Sequence, residues 1–269
     1  MDVCTKFARK VANSPFDCLL FDLDDTLYTS KTGLAAACKK NIEDFLVEEC
    51  GFIKDKASSL RVELFQKYGS TLAGLRALGY DISADDYHRF VHGRLPYDAI
   101  KPDPQLRNLL RSIKQRKLIF TNSDRVHAIK VLERLGLRDC FDQIICFETI
   151  NPNLSKPCRP DEFPVVLKPS MDAITIAIDV ADVDPRCTLF LDDNIRNIAA
   201  GKAAGLHTVL VGKAVKSKDA DFAVENINNL REAVPEIWGI REIDVGDERQ
   251  TVYTNSDIDC IATVTPVGA

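Results

Sequence analysis

The sequence contains no apolar run that approaches roughly 20 residues, the length that crosses a lipid bilayer. Its first 14 residues carry Lys6, Arg9 and Lys10 but no apolar stretch of signal-peptide length. We therefore expect a cytosolic (cytoplasmic) protein that does not act at a membrane. Internal repeats and low-complexity tracts are absent too, so the 269 residues are expected to form an ordinary globular fold.

An excess of positive charge is also missing. The net charge is -5, whereas a general nucleic-acid binder needs a basic surface that displaces counterions from phosphates. Nucleic acid is therefore not an expected partner, and a small phosphorylated ligand is compatible with this charge. The nine cysteines include no Cys-x-x-Cys pair, and several lie in apolar runs where a reduced thiol packs as a small hydrophobe. These features favour a reducing compartment.

The sequence does contain a regular alternation of short apolar runs and helical segments. The runs are continuously apolar, as in strands buried on both faces of a parallel sheet, and they lie at residues 18–21, 118–120, 144–147, 188–191 and 208–211. Residues 123–135 are typical of the helices between them, because Val126, Ile129, Leu132 and Leu135 fall on one predicted apolar face. Ser123 or Asp124 is suited to cap the start of this helix, and Gly136 to end it. The alternation predicts an α/β fold with right-handed crossovers.

The interval between the first and second runs breaks this alternation, because residues 28–116 have helical periodicity and no strand-like run. We interpret most of it as an inserted helical domain, with helices at 33–49, 54–68, 71–78 and 84–92 and a return linker at 95–104. The predicted domains are an N-terminal extension (1–14), a core (15–29 and 99–239), the helical insertion (30–98) and a C-terminal tail (240–269). Residues 151–164 are predicted to form a loop, and the tail has candidate strands at 251–253 and 261–264.

Polar groups suited to phosphate chemistry follow four apolar runs that are expected to be buried strands, one of them a short run that ends at Leu167. They are Asp22 and Asp24, Thr121 and Asn122, Lys168, and Asp192 and Asp193. Ligands of an open parallel sheet bind in the crevice outside the carboxyl ends of its strands. We therefore expect these groups to converge in one site.

Cleavage of a phosphate monoester needs a nucleophile, charge neutralisation on the phosphoryl oxygens and a proton for the leaving oxygen. Asp22 is the predicted nucleophile. Mg²⁺ prefers oxygen ligands and takes one or two carboxylates, which suits Asp22, Asp193 and the backbone carbonyl of Asp24. Lys168 is expected to supply a fixed positive charge.

The remaining tasks concern the phosphate oxygens and the proton. The Thr121 hydroxyl and the backbone N–H groups of the Thr121–Asn122 turn are expected to bind phosphate together with Lys168. Asp24 is expected to protonate the leaving alkoxide and later to activate water. Alone, each acidic pair would be typical of a solvated turn or a helix N-cap, and Asp25 has no predicted task.

The four groups in this order resemble the four motifs of the haloacid dehalogenase superfamily of phosphohydrolases. The motifs are Asp22-x-Asp24-x-Thr26, Thr121-Asn122, Lys168-Pro169 and Asp192-Asp193-Asn194, and the resemblance extends over residues 16–238. It implies a Rossmann-like core with a helical cap between the first and second motifs, and an aspartyl-phosphate on Asp22. It also implies a phosphatase or phosphomutase, because dehalogenase members lack the second aspartate. In the fourth motif we favour Asp193 as the direct ligand of Mg²⁺ and Asp192 as a ligand through water.

The substrate is predicted from a narrower resemblance. Residues 67–71, 90–97 and 101–104 are similar to the pyrimidine 5'-nucleotidase-like branch of that superfamily. This implies a nucleoside 5'-monophosphate, with xanthosine monophosphate favoured, then the pyrimidine nucleotides UMP and CMP. A sugar phosphatase, a phosphomutase and a non-catalytic regulatory protein are the alternatives. The candidate substrate contacts are Tyr28, Lys67, Tyr68, His92 and Arg94.

Two histidines outside these motifs receive no functional assignment. His127 and His207 have no second histidine or cysteine at metal-ligand spacing, so we interpret them as ordinary helix and strand residues. The oligomeric state is left open.

Overall fold

A computed structural model of the chain describes residues 11–155, 162, 164–239, 242–243 and 250–251. In this part of the chain, parallel strands form a six-stranded sheet of order β3-β2-β1-β4-β5-β6. The strands are β1 (Cys18–Phe21), β2 (Arg116–Phe120), β3 (Gln143–Ile145), β4 (Thr188–Asp192), β5 (His207–Val211) and β6 (Phe222–Val224). The predicted α/β fold with a parallel, Rossmann-like sheet is therefore confirmed.

The strand predictions are correct for the buried apolar runs, and they are wrong at β6 and at the segment before Lys168. All five apolar runs of the alternation contribute to strands, although the run at 144–147 leaves β3 after Ile145 and enters α7 at Phe147. β6 was not predicted, because it is a three-residue edge strand that is only partly buried. The strand predicted to end at Leu167 is wrong, because residues 164–167 belong to no strand. The Asn151 side chain instead binds the backbone N–H and C=O of Val166 at 2.7 and 2.9 Å, so this segment needs no strand partner.

Helices fill the long interval between β1 and β2, as expected. They are α1 (Leu34–Glu48), α2 (Lys54–Tyr68), α3 (Thr71–Ala77) and α4 (Ala84–Gly93), followed by α5 (Pro104–Ser112). Ser70 and Ser83 cap α3 and α4 by accepting hydrogen bonds from Ala73 and Asp86 backbone N–H groups. The predicted domain boundaries themselves stay a prediction.

The remaining described helices follow the later strands. They are α6 (Arg125–Leu135), α7 (Phe147–Ile150), α8 (Met171–Ala181), α9 (Ile195–Ala203) and α10 (Leu230–Ala233). Asp124, and not Ser123, caps α6 by accepting from the His127 N–H. A short antiparallel pair joins β7 (Glu242–Ile243) to β8 (Gln250–Thr251). Of the candidate tail strands, only Thr251 lies within the described residues.

The predicted apolar face of α6 is confirmed for Leu132 and Leu135 and wrong for Val126. The buried side of α6 carries His127, Ala128, Val131, Leu132 and Leu135, whereas Val126 is 73% exposed. Ile129 is partly buried against the core, and the buried face extends from Leu132 and Leu135 toward His127, Ala128 and Val131 instead of toward Val126. A histidine therefore lies on the side of α6 that faces the core.

The core consists of two layers, one on each face of the sheet, and a third cluster in the inserted helices. Leu19 and Phe21 point to the layer covered by α5 and α6, and Cys18 and Leu20 to the layer covered by α8 and α9. Full burial of each such leucine or phenylalanine stabilises the fold by roughly 1.5–3 kcal/mol. The third cluster joins α1, α2, α3 and α4 to Phe147 and Leu154 from beyond β3. Among the described residues, no helix combines the length and apolar character that crossing a bilayer requires.

Candidate active site

Lys168 joins two carboxylates at the carboxyl edge of the sheet. Its Nζ donates hydrogen bonds to Asp22 Oδ1 and Asp192 Oδ2, both at 2.8 Å, and to the Phe120 carbonyl at 2.7 Å. All three ammonium protons are therefore used. Asp22 follows β1, and its backbone N–H continues the ladder by donating to Leu191 of β4 at 2.8 Å. The two strands thus bring the carboxylates to the same level.

The Lys168 backbone is held by Asn122. The Asn122 side chain donates to the Lys168 carbonyl at 3.0 Å and accepts from the Lys168 N–H at 2.9 Å. The ammonium also lies 4.8 Å from the centre of the Phe120 ring. Lys168 is only 3% exposed, so these contacts replace the water that a buried ammonium loses. The Asn122 side chain therefore positions Lys168, and the phosphate contact expected of the Thr121–Asn122 turn stays a prediction.

Asp192 and Asp193 differ in burial and in the hydrogen bonds that their carboxylates accept. Asp192 is completely buried, and its Oδ1 accepts from the Asn194 N–H at 2.8 Å and from Asn197 Nδ2 at 3.0 Å. Asp193 is partly exposed, and burial followed by the charges of Asp192 and Asp25 raises its pKa to about 6. One carboxylate oxygen each of Asp22, Asp192 and Asp193 lie within 4.8 Å of one another.

This acidic group fits a magnesium ion. Burial, and then the negative charge of Asp192, raise the pKa of Asp22 against the opposing effect of Lys168. One ammonium therefore does not balance three close carboxylates. The donor atoms are all carboxylate oxygens, which are the ligands that Mg²⁺ prefers. A divalent cation would supply the missing positive charge.

Asp24 lies among hydrogen-bond donors instead of other carboxylates. Its Oδ1 accepts from the Tyr28 hydroxyl at 2.6 Å and from His127 Nε2 at 2.8 Å, and its Oδ2 accepts from the Ser123 hydroxyl at 2.7 Å. Burial alone would raise the pKa of Asp24. The charge of His127 and these three hydrogen bonds outweigh burial and hold the pKa below its usual range.

A second carboxylate connects this region to the inserted helices. Asp124 Oδ1 contacts Nδ1 of His92, which comes from α4, while Asp124 Oδ2 caps α6. The rings of His92 and His127 lie 4.5 Å apart. Burial would raise the pKa of Asp124, but the hydrogen bond from His92 and its charge lower it. The His92–Asp124 contact therefore ties α4 to the N-terminus of α6.

Two threonines complete the site. The Thr26 hydroxyl donates to Asp22 Oδ2 at 2.8 Å, so both oxygens of Asp22 are held. Thr121 follows β2, is 2% exposed, and its Oγ1 accepts from the Ser123 N–H at 3.0 Å. The Thr121 hydroxyl thereby orients the turn after β2. Ser123, in that turn, donates its hydroxyl hydrogen bond to Asp24.

The candidate substrate contacts divide into two groups. Tyr28 and His92 lie at the Asp24 side of the site through the contacts described above. Arg94 pairs with Glu48 at 3.2 Å and lies 3.6 Å from the centre of the Phe90 ring. Lys67 lies over the Tyr68 ring at 5.2 Å, and Tyr68 packs in the cluster of the inserted helices. No contact among the described residues joins these last three side chains to Asp22 or Asp24.

Sequence reasoning missed two hydrogen-bond partners of Asp24 that lie outside the motifs, Ser123 and His127. It also missed Tyr97, which contacts His127, and the contact of Asp124 with His92. His127 was interpreted as an ordinary helix residue, yet both of its ring nitrogens are hydrogen-bonded in the site. The signal that could have found it was helical phase. His127, Val131 and Leu135 recur at a spacing of four residues, which predicts a polar side chain on the buried face of α6.

Comparison with known proteins is consistent with this geometry. A family model described as haloacid dehalogenase-like hydrolase matches residues 16–205. Phosphate metabolism protein 8 of Saccharomyces cerevisiae is 30% identical over 213 residues, which cover 76% of this chain and 61% of that protein. The matched region thus spans about three fifths of the yeast protein (61%). Phosphoglycolate phosphatase of Aquifex aeolicus is 26% identical over 202 residues, covering 71% of this chain and 83% of that protein.

Solved structures with the same fold have lower sequence identity. CbbY from Rhodobacter sphaeroides in complex with phosphate superposes with a TM-score of 0.55 at 18% identity, covering 80% of this chain and 96% of that one. A phosphatase from Thermococcus onnurineus gives a TM-score of 0.52 at 20% identity, covering 81% and 97%. At such identities the likeness establishes the fold alone.

Proposed function

The chain belongs to the haloacid dehalogenase-like hydrolases, whose family model covers residues 16–205, and from this premise we propose a magnesium-dependent phosphatase that carries the phosphoryl group on Asp22. The superfamily predicted from the four motifs is thereby confirmed, while the nucleotidase branch stays a prediction. One observation carries the proposal: Asp22 is a buried carboxylate at a sheet edge, and Lys168 and Thr26 hold its two oxygens at 2.8 Å.

The nucleophile and the cation act together. Asp22 attacks the phosphorus atom, the bond to the leaving oxygen breaks, and an aspartyl-phosphate forms. Lys168 offsets the charge of the phosphate dianion, which an approaching carboxylate would otherwise repel. The Thr121 hydroxyl and the N–H groups of the turn after β2 bind the phosphoryl oxygens.

The carboxylates of Asp22 and Asp193 and the backbone carbonyl of Asp24 would hold Mg²⁺. When bound, Mg²⁺ supplies positive charge that polarises the phosphoryl group. Asp193 is the better direct ligand, because the oxygens of Asp192 already accept hydrogen bonds from Lys168, Asn194 and Asn197. Asp192 would contribute to the metal site through water, and it keeps Lys168 in position.

Asp24 handles the proton in both half-reactions. A phosphate dianion that binds beside Asp24 raises the pKa of this carboxyl, because like charge disfavours the ionised form, and Asp24 takes up a proton from solvent. The proton passes to the leaving alkoxide as the P–O bond breaks. Asp24, ionised again, then accepts a proton from a water molecule that attacks the aspartyl-phosphate, and inorganic phosphate leaves.

The proposed substrate is a nucleoside 5'-monophosphate, with xanthosine monophosphate favoured and UMP or CMP next. This rests on the nucleotidase-like stretches at residues 67–71, 90–97 and 101–104. Tyr28 and His92 are the candidate contacts that adjoin Asp24 or its neighbours. A second candidate is a small phosphorylated acid or sugar, because relatives of similar identity are named phosphoglycolate phosphatase and N-acetylmuramic acid 6-phosphate phosphatase.

A substrate panel tests both levels of the proposal. Phosphate release is measured from nucleoside monophosphates, phosphoglycolate and sugar phosphates, with Mg²⁺ and with excess chelator. Asp22→Asn should lower magnesium-dependent release by at least about three orders of magnitude, and the neighbouring Asp25→Asn should stay within a few-fold of wild type. Full activity in Asp22→Asn would refute the mechanism. Activity on phosphoglycolate or a sugar phosphate with inert nucleotides would refute the substrate, and rearrangement without phosphate release would indicate a phosphomutase.

A further inference from the structure

His127 is a buried polar side chain on the core-facing side of α6, where its neighbours are Ala128, Val131 and Leu132. A buried imidazole is costly unless both ring nitrogens find partners. Here the two partners come from distant parts of the chain. Nε2 lies 2.8 Å from Asp24 Oδ1, and Nδ1 lies 2.9 Å from the Tyr97 hydroxyl.

These partners fix which way the ring points. An ionised carboxylate only accepts hydrogen bonds, so Nε2 carries a proton and donates it to Asp24. In the neutral ring Nδ1 then accepts from the Tyr97 O–H, and in the protonated ring Nδ1–H donates to the Tyr97 oxygen. The Nε2–H donates to Asp24 in both states. The His127 backbone N–H is also bound, by the cap residue Asp124 at 3.2 Å, and the residue is 3% exposed. His127 is therefore as rigidly held as the helix that carries it.

The Asp24 side chain depends on this rigidity. The terminal torsion of an aspartate is broad and has no sharp staggered minimum, so hydrogen bonds must set its orientation. Ser123 fixes Oδ2, while Tyr28 and His127 share Oδ1. Tyr28 and Ser123 lie on turns, whereas His127 lies within a regular helix, which holds a side chain more precisely.

We propose that His127 is a positioning residue for the acid and base step: its Nε2–H holds the Asp24 carboxyl in the orientation from which a proton reaches the leaving oxygen. This inference rests on the proposed phosphatase function. It extends the machinery beyond the four motifs to α6 and, through Tyr97, to the segment that precedes α5.

The proposal predicts a dependence on the leaving group. An alkoxide needs a proton when it leaves, whereas p-nitrophenolate is stable enough to leave without one. Loss of His127 should therefore slow the phosphorylation of Asp22 by an alkyl phosphate much more than by p-nitrophenyl phosphate. General acid catalysis contributes about 10²–10⁴-fold, and misplacement of the acid should forfeit part of it.

The experiment compares His127→Leu, His127→Gln and wild type in single-turnover assays of aspartyl-phosphate formation. The substrates are p-nitrophenyl phosphate and the most rapidly hydrolysed alkyl phosphate of the panel. We expect His127→Leu to slow the alkyl phosphate about 30- to 100-fold and the aryl phosphate less than about fivefold, with KM for both within about threefold. Gln presents an amide N–H near the position of Nε2, so it should recover most of the loss.

Three controls separate positioning from a general structural effect. His88→Leu makes the same change in a neighbouring buried histidine that does not contact Asp24, and it should leave both rates within about threefold. In an Asp24→Asn background, His127→Leu should add less than about twofold, because its effect acts through Asp24. Tyr97→Phe retains the fold and frees Nδ1, so it should slow the alkyl phosphate selectively even if His127→Leu does not fold.

The outcomes are distinct. Equal slowing of both substrates, or full additivity with Asp24→Asn, would overturn the positioning role and leave the phosphatase intact. Unchanged rates in His127→Leu would do the same. Failure of the proposed function would instead appear in wild type, as no phosphate release from any substrate.

Discussion

Asp22 and Asp24 are separated by one residue, yet opposite environments surround them. On the Asp22 side, three carboxylates compete for one ammonium, and burial raises the pKa of Asp22. On the Asp24 side, three donors surround one carboxylate, and the charge and hydrogen bonds of His127 reverse the effect of burial. Environments that push the pKa values of two similar groups apart are how a site assigns two roles to one residue type.

The two sides also differ in where their parts come from. The Asp22 side is built from the ends of β1 and β4 and from Lys168, which the sheet and Asn122 position. The Asp24 side receives one donor from α6, His127, and two from turns, Tyr28 and Ser123. Through Asp124 and His92 it adjoins α4 of the inserted helices. The proposed metal and phosphate site, which is short of positive charge, thus belongs to the sheet. The proposed proton-handling site lies where the inserted helices meet α6.

The largest expected effect removes the cation of the Asp22 side. Lys168→Met leaves Asp22 and Asp192 buried and facing each other without a counter-charge. Loss of one partner from a buried ion pair costs about 3–5 kcal/mol, so the free energy of unfolding in urea at pH 8 should fall by that amount, and phosphatase activity should disappear. Because the remaining carboxylates regain stability by taking up protons, the deficit should shrink as the pH is lowered.

A matched control uses an ion pair at the surface. Lys202 contacts Asp221 with 45% of its side chain exposed, and Lys202→Met should cost less than about 1 kcal/mol. Equal losses for the two lysine variants would contradict the claim that the Asp22 side depends on a buried cation.

The parts that sequence reasoning predicted are those with contiguous signals. Continuous apolar runs located the strands, and a run that ends in Asp22 or Asp192 places that carboxylate at the sheet edge whatever the rest of the chain does. Lys168 was predicted to lie in the site because of the Lys168-Pro169 motif, although no strand precedes it in the structure. Its position instead depends on Asn122 and on the hold of Asn151 on Val166.

The Asp24 side was only partly predictable, because it depends on packing. Whether His127 or Val126 faces the core is decided by the rotation of α6, and one position changes the answer. The His92–Asp124 contact depends on how α4 packs on the core, which no local pattern encodes. Lys67, Tyr68 and Arg94 were chosen for their chemistry alone, and the described structure gives them other neighbours.

A smaller effect distinguishes the adjacent acids of the Asp22 side. Asp193→Asn should weaken Mg²⁺ binding, measured by calorimetry, by at least about tenfold, because it removes a charged and partly exposed oxygen ligand. Asp192→Asn should change Mg²⁺ affinity less but destabilise the fold by about 1–3 kcal/mol, since it disturbs buried hydrogen bonds from Lys168, Asn194 and Asn197. The reverse pattern would make Asp192 the direct ligand.

The smallest expected effect concerns the pH dependence of the Asp24 side. His88 stacks on His92 at 5.5 Å and contacts Phe147 edge-on at 4.5 Å. Burial, followed by the charge of His92, lowers the pKa of His88 to about 3, with Asp124 opposing and His127 adding to the shift. The unfolded chain binds this proton near pH 6.5. Between these two values the unfolded state therefore binds more protons than the folded state, so stability falls as the pH falls.

His88→Leu removes that contribution and isolates it. The free energies of unfolding of wild type and variant are compared at pH 7.5 and pH 5.5, and the wild type should lose about 1 kcal/mol more than the variant over this interval. His92 and His127 have raised pKa values, so they contribute stability at low pH that is lost as the pH rises, and both remain in the two proteins being compared. If the difference in free energy of unfolding between wild type and His88→Leu were the same at both pH values, His88 would take up its proton in the folded protein as it does in the unfolded chain. The stacked His88 and His92 rings would then both carry positive charge. The difference between the surroundings of Asp22 and Asp24 would in that case rest on hydrogen bonds alone.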